Sequence, residues 1–512
     1  MSSIRRQSII SSVVIYIGFA VGLLNTWFFT RQGNFINFTE AQYGLTTIFI
    51  AIASMMTSIA SMAMPSFIFK FYHYYNDNLP PRRNDMITWS LLVSTIGFIM
   101  VMVAGWFLKD LVIRKFGANS PLLVTYYYWI FPLGLGLTIY SVLEAYTWSL
   151  GKPVVTNFFK EVQWRLFTTV LIVLFITNTI KDFDLFIKLF AFTYPGIAVS
   201  LFIYLLITKK IHFTFKLSKV SRRFYNKILA LCTYFYGATL VFTLSQVFDT
   251  IVIASVLKDG TAKAGIFGLA ALMTSVMQAP QRAIISASIS HLSKAWKEKN
   301  MALLQKIYQR SSINQLIFAC AIFLLIWMNF SDAVDTFKLK PSFHAAGWVF
   351  FVLGLTKIVD MGTGVNSQII ATSNYWRFEL FSGIILIIIM LPLTYILAKT
   401  YGIIGPAIGS LVSITIYNII RIIFLWKKFK LFPLTIHSLQ TVLLAAACYG
   451  ACYFAFVNMH GLTGMFLRSL AFIFLYAAGA IYMKLSPDIY PVVQTIKKRL
   501  VRKDSDGGIK GS

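Results

Sequence analysis

Apolar positions run along this chain in blocks long enough to cross a bilayer, and polar positions gather in short stretches between them. A transmembrane helix needs about 20 mostly apolar residues. By that measure the pattern predicts fourteen helices, near 8–29, 45–69, 87–108, 121–149, 154–178, 184–208, 226–256, 264–287, 311–330, 344–370, 377–398, 402–426, 436–457 and 463–483. Turn-forming residues mark several boundaries: "NLPPRRND" at 78–85, "SLGKP" at 149–153, "LKDGTAK" at 257–263 and "LKPS" at 339–342. The first block lacks a clear small-residue cleavage site and reads as a membrane helix, not a signal peptide. The stretch Ile289 to Arg310, with Leu292, Trp296, Leu303, Leu304 and Ile307, reads as a short amphipathic helix along the inner surface. The final "DSDGGIKGS" reads as disordered. The predicted class is an all-α polytopic membrane protein.

The blocks repeat. "LGLT" occurs at 135–138 and again at 353–356, 218 residues on. "AQYGL" (41–45) matches "AKAGI" (262–266) at an offset of 221, and the Met-Thr-Ser of "MMTSIASMAMP" (55–65) returns in "LMTSVMQAP" (272–280) at 217. The order of matches is the same in both copies, which indicates a duplication. The offset spans six helices, an even number, so the copies run in the same direction. The expected organisation is an N-lobe at 1–210 (helices 1–6), a C-lobe at 211–430 (helices 7–12), helices 13 and 14 at 431–485, and a basic tail at 486–512.

Composition sharpens the class. The chain is 57% hydrophobic and 12% charged, against roughly 25% charged in a soluble domain. The net charge of +28 could suggest nucleic acid. Its distribution gives a different reading. With the N-terminus inside, roughly three quarters of the Lys and Arg fall on one side of the predicted helices, as the positive-inside rule requires. Both termini are then expected in the cytoplasm, with anionic membrane lipids rather than nucleic acid as partners of the basic loops. No GxxxxGK[ST] occurs, and the loops leave no room for a nucleotide-binding domain, so ATP hydrolysis is not expected. The four cysteines lie in apolar stretches without CxxC, and the six histidines show no HExxH. No metal, no cofactor and no enzyme activity are expected. A membrane polymerase or ligase of polysaccharide, the alternative of another class, would want a large external loop that the spacing does not provide.

Some polar residues fall where they are expensive. A charge at the centre of a membrane helix costs about 2.5–3.5 kcal/mol on insertion scales and usually faces a cavity or partner. Lys357 and Asp360 form such a central pair, one turn apart on helix 10. Asp249 shares a face of helix 7 with Gln246, and Glu144 lies toward the end of helix 4. Lys160, Glu161, Arg165, Lys188, Glu379 and Arg421 sit within about two turns of an expected end, where they can snorkel to the interface.

Three stretches carry a family resemblance: "NFTEAQYGLTTIF" (37–49), "SQVFDTIVIASVLKDGTAKAGIFGLA" (245–270) and "YGIIGPAIGSLVSITIYNIIRIIFLWKKFK" (401–430). They resemble the polysaccharide flippases of the multidrug/oligosaccharidyl-lipid/polysaccharide (MOP) exporter superfamily. One departure is "AKAG" at 262–265, where that family often has an aromatic before the glycine. The resemblance implies two six-helix bundles in a cytoplasmic (inner) membrane, alternating between inward- and outward-facing states. It implies a polyprenyl-pyrophosphate oligosaccharide as cargo, for surface polysaccharide such as lipopolysaccharide. It also implies a cavity lined by helices 1 and 7. On that basis Lys357, Arg31 and Arg282 are candidates for the pyrophosphate, and Asn25, Gln246 and Asn366 for sugar hydroxyls. Asp249, Asp360 and Glu144 are candidates for a coupling Na+ or H+. A cation-coupled multidrug exporter of the same fold is the alternative. Lys357, the arginines and helices 13 and 14 argue against it.

Overall fold

The computed structural model describes residues 2–33 and 38–488. Seventeen helices carry the description: α1 (Ser2–Thr30), α2 (Glu40–Ala60), α3 (Met64–Asn78), α4 (Met86–Phe107), α5 (Ile130–Ser149), α6 (Trp164–Ile176), α7 (Thr193–Ile207), α8 (Lys219–Val256), α9 (Gly260–Met277), α10 (Ala279–Lys297), α11 (Met301–Thr336), α12 (Ala345–Gly362), α13 (Asn366–Thr372), α14 (Arg377–Tyr401), α15 (Ile404–Phe429), α16 (Ile436–Ala455) and α17 (Gly461–Tyr482). Other short helical pieces, among them Lys109–Phe116 and Phe183–Phe190, join them. Among the described residues there is no strand beyond one isolated bridge, and thirteen helical stretches are long and apolar enough to cross a membrane. The chain is a multi-pass, all-α membrane protein. The basic tail with "KKRLVRK" lies outside the described residues.

Several expected elements come out differently: the spans expected at 121–149, 184–208, 264–287 and 344–370 are each divided, and three further cases have a clear cause. The second span, expected at 45–69, is two helices. α2 ends at Ala60, Met62 and Ala63 take positive φ of 46° and 59°, and Pro65 sits in the first turn of α3. Proline has no N–H to continue the ladder and clashes with the turn before it, so the helix restarts there. The fifth span, expected at 154–178, is a short helix Pro153–Asn157, one π-helical turn Phe158–Gln163, and α6. The surface helix expected at Ile289–Arg310 does not form as one piece. α10 closes at Lys297, and Asn300 caps α11 by accepting from the Leu303 N–H at 2.9 Å. Its apolar residues are core. Leu292 and Leu304 are fully buried with Tyr308, Ile369 and Leu425, so burial against neighbouring helices outcompetes the membrane surface.

The chain forms two compact units. The first runs to Leu269 and adds Lys338–Lys340 and Met390–Pro406; the second holds Ala270–Phe337, Pro341–Ile389 and the residues from Ala407. In the first unit the duplication is visible in atomic detail. Gly44 of α2 meets the backbone of Thr261 and Gly265 in α9, and Gly265 meets Glu40 and Gly44 in return. Gly44 and Gly265 are repeat equivalents at the offset of 221, as are Glu40 and Thr261. This is the reciprocal contact of a two-fold pair. A Cβ on Gly265 would lie 2.8 Å from the Glu40 carbonyl oxygen, and one on Gly44 would overlap the Thr261 carbonyl. Only glycine allows the approach.

At the Gly33 end of α1, Arg31 forms the isolated bridge with Leu339. The Lys340 N–H donates to the Thr30 carbonyl at 2.9 Å, and its ammonium donates to the Phe38 carbonyl and lies 3.6 Å from Glu40. The segment 338–340 is thereby strapped over a cluster of Phe29, Phe38, Phe175 and Phe186.

In the second unit α16 and α17 pack on α11 through Cys320, Cys448, Cys452 and Phe472. The buried Arg468 of α17 pairs with Asp332 and donates to the Met328 carbonyl at 2.9 Å. All four cysteines are free thiols.

Candidate functional site

Each unit holds a polar node where apolar side chains would be cheaper. In the first unit it is built on the π-helical turn. A π turn inserts an extra residue, shifts the register of the residues after it and is frequent at functional sites. Here it presents consecutive residues to different neighbours. The Lys160 ammonium lies 3.1 Å from the Glu144 carboxylate of α5, while Glu161 pairs with Arg165 one turn on. The Arg165 guanidinium also donates to the Glu161 carbonyl and stacks 5.6 Å from the rings of Phe19 and Trp164. α1 can come this close because Gly18 faces the Glu161 backbone, with 2.5 Å from a built Cβ to the carbonyl oxygen. Asn25 locks the arrangement: its amide donates to the Arg165 carbonyl at 2.8 Å and its oxygen accepts from Thr169 at 2.7 Å. Two acids and two bases thus neutralise one another.

The second unit wires its node differently. The Asp360 carboxylate, near the end of α12, accepts from the amides of Gln281 and Asn418, both at 3.3 Å. Asn418 in turn accepts from Thr363 at 3.1 Å and Asn366 at 2.9 Å. One turn further along α15, the buried Arg421 pairs with Glu379, approaches Ser382 at 3.4 Å and lies 3.8 Å over the ring of Tyr417. Ser367 donates to Glu379 at 2.7 Å, and the second Glu379 carboxylate oxygen is buried without a partner. Lys357 lies half-buried one turn before Asp360.

Of the residues singled out from sequence, Asp360, Asn366 and Lys357 fall in or beside the second node, and Glu144 and Asn25 in the first. Asp249 is buried on α8 and accepts from Thr394 at 3.4 Å, while Gln246 is exposed one turn before it. Arg31 stacks on Trp27 at 4.7 Å beside the strap, and Arg282 is exposed on α10. The amides of Asn25 and Asn366 are already engaged, so each first of all holds helices together. Sequence reasoning set aside Glu161, Arg165, Glu379 and Arg421 as helix-end residues, and these form both ion pairs at the node centres. A signal was available. Glu161 and Glu379 are 218 apart, the "LGLT" offset, so the duplication keeps an acid at one place in both copies. Among the described residues no group of His, Cys, Asp and Glu has metal-site geometry.

No family model matches the chain, and no curated protein matches it by sequence. Solved structures do. A lipid II flippase, MurJ, in an inward closed conformation superposes with a TM-score of 0.71 at 15% identity, over 93% of this chain and 99% of that one. An inward-facing multidrug resistance MATE transporter of the MOP superfamily gives 0.65 at 13% identity, over 82% and 98%. A MOP superfamily transporter from Pyrococcus furiosus, described as having a binding pocket of reversed polarity, gives 0.55 at 16% identity, over 83% and 95%. At such identities the likeness speaks to architecture alone: the chain shares the fold of these solved flippase and exporter structures.

Proposed function

We propose that this protein is a flippase that carries a polyprenyl-pyrophosphate oligosaccharide across the cytoplasmic membrane by alternating access. The observation that carries this reading is the packing of α16 and α17 onto α11, which extends the chain beyond the twelve helices typical of the drug exporters. The flippase likeness extends over 93% of the chain, against 82% for the inward-facing exporter. The physical task fits the architecture. A pyrophosphate-sugar head cannot enter hydrocarbon without losing its water, whereas the prenyl tail can stay in lipid. A polar interior that opens alternately to each side need shelter only the head.

In this reading the lobes are 1–210 and 211–430, and both termini and the basic loops face the cytoplasm. Lys357, with Arg31 and Arg282 near the mouths, meets the pyrophosphate, since cations bind its oxygens by charge-assisted hydrogen bonds. Gln246, with Asn25 and Asn366 where their helices part, meets hydroxyls. Asp360, Asp249 or Glu144 carries Na+ or H+. A deletion strain tests the function. It should lose a surface polysaccharide and accumulate the lipid-linked precursor on the inner leaflet. Normal polysaccharide with raised sensitivity to cationic drugs would instead establish the exporter of the same fold.

A further inference from the structure

The polar nodes leave unused a large apolar cavity in the first unit. It has a volume of about 840 Å³ and is walled by α3, α4 and the first half of α8, with Phe67, Trp89, Ile228 and Tyr236 among its lining residues. Met62 and Met64 bring the break between α2 and α3 to its wall. Apolar cavities hold water poorly and take apolar ligands instead. A water's share of liquid is about 30 Å³, and a methylene group needs a similar share. The cavity therefore has room for one lipid chain of roughly 16–18 carbons, with space to spare.

Its rim has a different chemistry. α8 is 38 residues long, about 57 Å at 1.5 Å per residue, so it outreaches a hydrocarbon layer of about 30 Å. Its first turns and the segment before them, "KKIHFTFKLSKVSRRFYNK" (209–227), contain seven Lys and Arg and no acid. Arg222 from this segment lines the cavity and is exposed. Leu217, Tyr225 and Leu229, also lining it, are exposed apolar residues around the same mouth. Of the acids nearby, Asp77 is exposed at the end of α3 and Asp85 is buried and turned inward. It accepts from the Ser218 N–H at 2.9 Å and the Ser221 hydroxyl at 2.7 Å, and the Tyr75 hydroxyl lies 2.8 Å from Ser221. A rim with this excess of basic residues over an apolar chamber is complementary to an anionic amphiphile with one chain to insert.

We infer that this cavity binds an anionic phospholipid of the leaflet at the basic end of α8, one acyl chain filling the chamber and the phosphate meeting Arg222. The site is separate from both polar nodes and stands whatever cargo the protein carries. Its occupant would brace α8 against α3 and α4, and so link lipid composition to the position of α8.

Cys232 lines the chamber and reports on it, because the other three cysteines are buried. In the full-length protein in detergent, phosphatidylglycerol should slow alkylation of Cys232 by about fivefold or more at saturation. Phosphatidylcholine should need about tenfold more lipid for the same effect. Native mass spectrometry should show one phosphatidylglycerol retained per chain. Thr233→Trp, which fills the chamber from an exposed lining position, should abolish retention, with Leu229→Trp as a second filling variant. Arg222→Gln should remove the preference for phosphatidylglycerol over phosphatidylcholine. Equal protection by the two lipids would overturn the inference, as would retention that survives both filling variants. Protection by a polyprenyl phosphate at lower concentration than by phosphatidylglycerol would also overturn it and assign the cavity to an isoprenoid chain.

Discussion

The two polar nodes occupy repeat-related parts of the chain and solve the same problem in opposite ways. In the first unit Glu144, Lys160, Glu161 and Arg165 pair off, so every charge has a charged neighbour. In the second, one buried ion pair, Arg421 with Glu379, stands beside a carboxylate that accepts from carboxamides, Asp360 with Gln281 and Asn418. Ion pairs hold helices; their charges are committed to one another. A carboxylate held by weaker neutral donors can exchange them for a cation or a proton at smaller cost. The first node thus commits its charges to one another, whereas the second holds one carboxylate, Asp360, on neutral amides. On the proposed function, this difference in wiring favours Asp360 over Glu144 as the carrier of a coupling ion.

Breaking the pairs should separate the roles, and four changes rank by their effect on stability. Arg421→Ala should be most damaging, since it strands a largely buried Glu379. Losses of about 3–5 kcal/mol are usual for such changes, read as a lower unfolding midpoint in detergent. Arg421→Met with Glu379→Gln should recover most of that loss; if it does not, the pair has a role beyond compensation. Next comes Gly44→Val. Its side chain must displace the Thr261 backbone, and overpacking of this kind typically costs about 1–3 kcal/mol. Gly265→Val should behave alike, as the reciprocal contact requires, and a tolerant Gly265 would refute the two-fold reading of the crossing.

Asp360→Asn should change stability by less than about 1.5 kcal/mol, because an amide still accepts from one of its partners. Transport, read as surface polysaccharide in cells, should nevertheless be lost. Full activity would remove Asp360 from coupling. Lys357→Ala extends this test: a stable double variant, Lys357→Ala with Asp360→Ala, should insert and remain inactive if the two residues act on cargo or ion. Lys160→Met with Glu144→Gln should have the smallest effect, about 0–1 kcal/mol, because it removes both charges together and leaves no stranded charge at the largely buried Glu144. A large loss there would mean that this pair does more than compensate its own charges.

Much of the architecture was legible in the chain. Spanning helices follow from block length, and the duplication follows from "LGLT" and from the pair "AQYGL" and "AKAGI", whose glycines meet in the fold. These are local signals, because a membrane helix satisfies its own backbone and needs only enough apolar residues. The break at Met62 and Ala63 was half-legible, since Pro65 announces it and only the packing decides that the chain restarts at once. The polar nodes were not legible. Arg421 and Glu379 are 42 residues apart and Asn25 and Arg165 are 140 apart. Sequence distance to a helix end makes each look like a snorkelling residue. Whether a charge reaches water or a partner depends on which helices pack beside it and in what register. The sequence by itself determined that this chain spans a membrane in two parallel copies. Only the tertiary structure decided which charges neutralise one another and which carboxylate is held by neutral amides, because electrostatic free energy is set by distances across the fold and the local dielectric, not by neighbours along the chain.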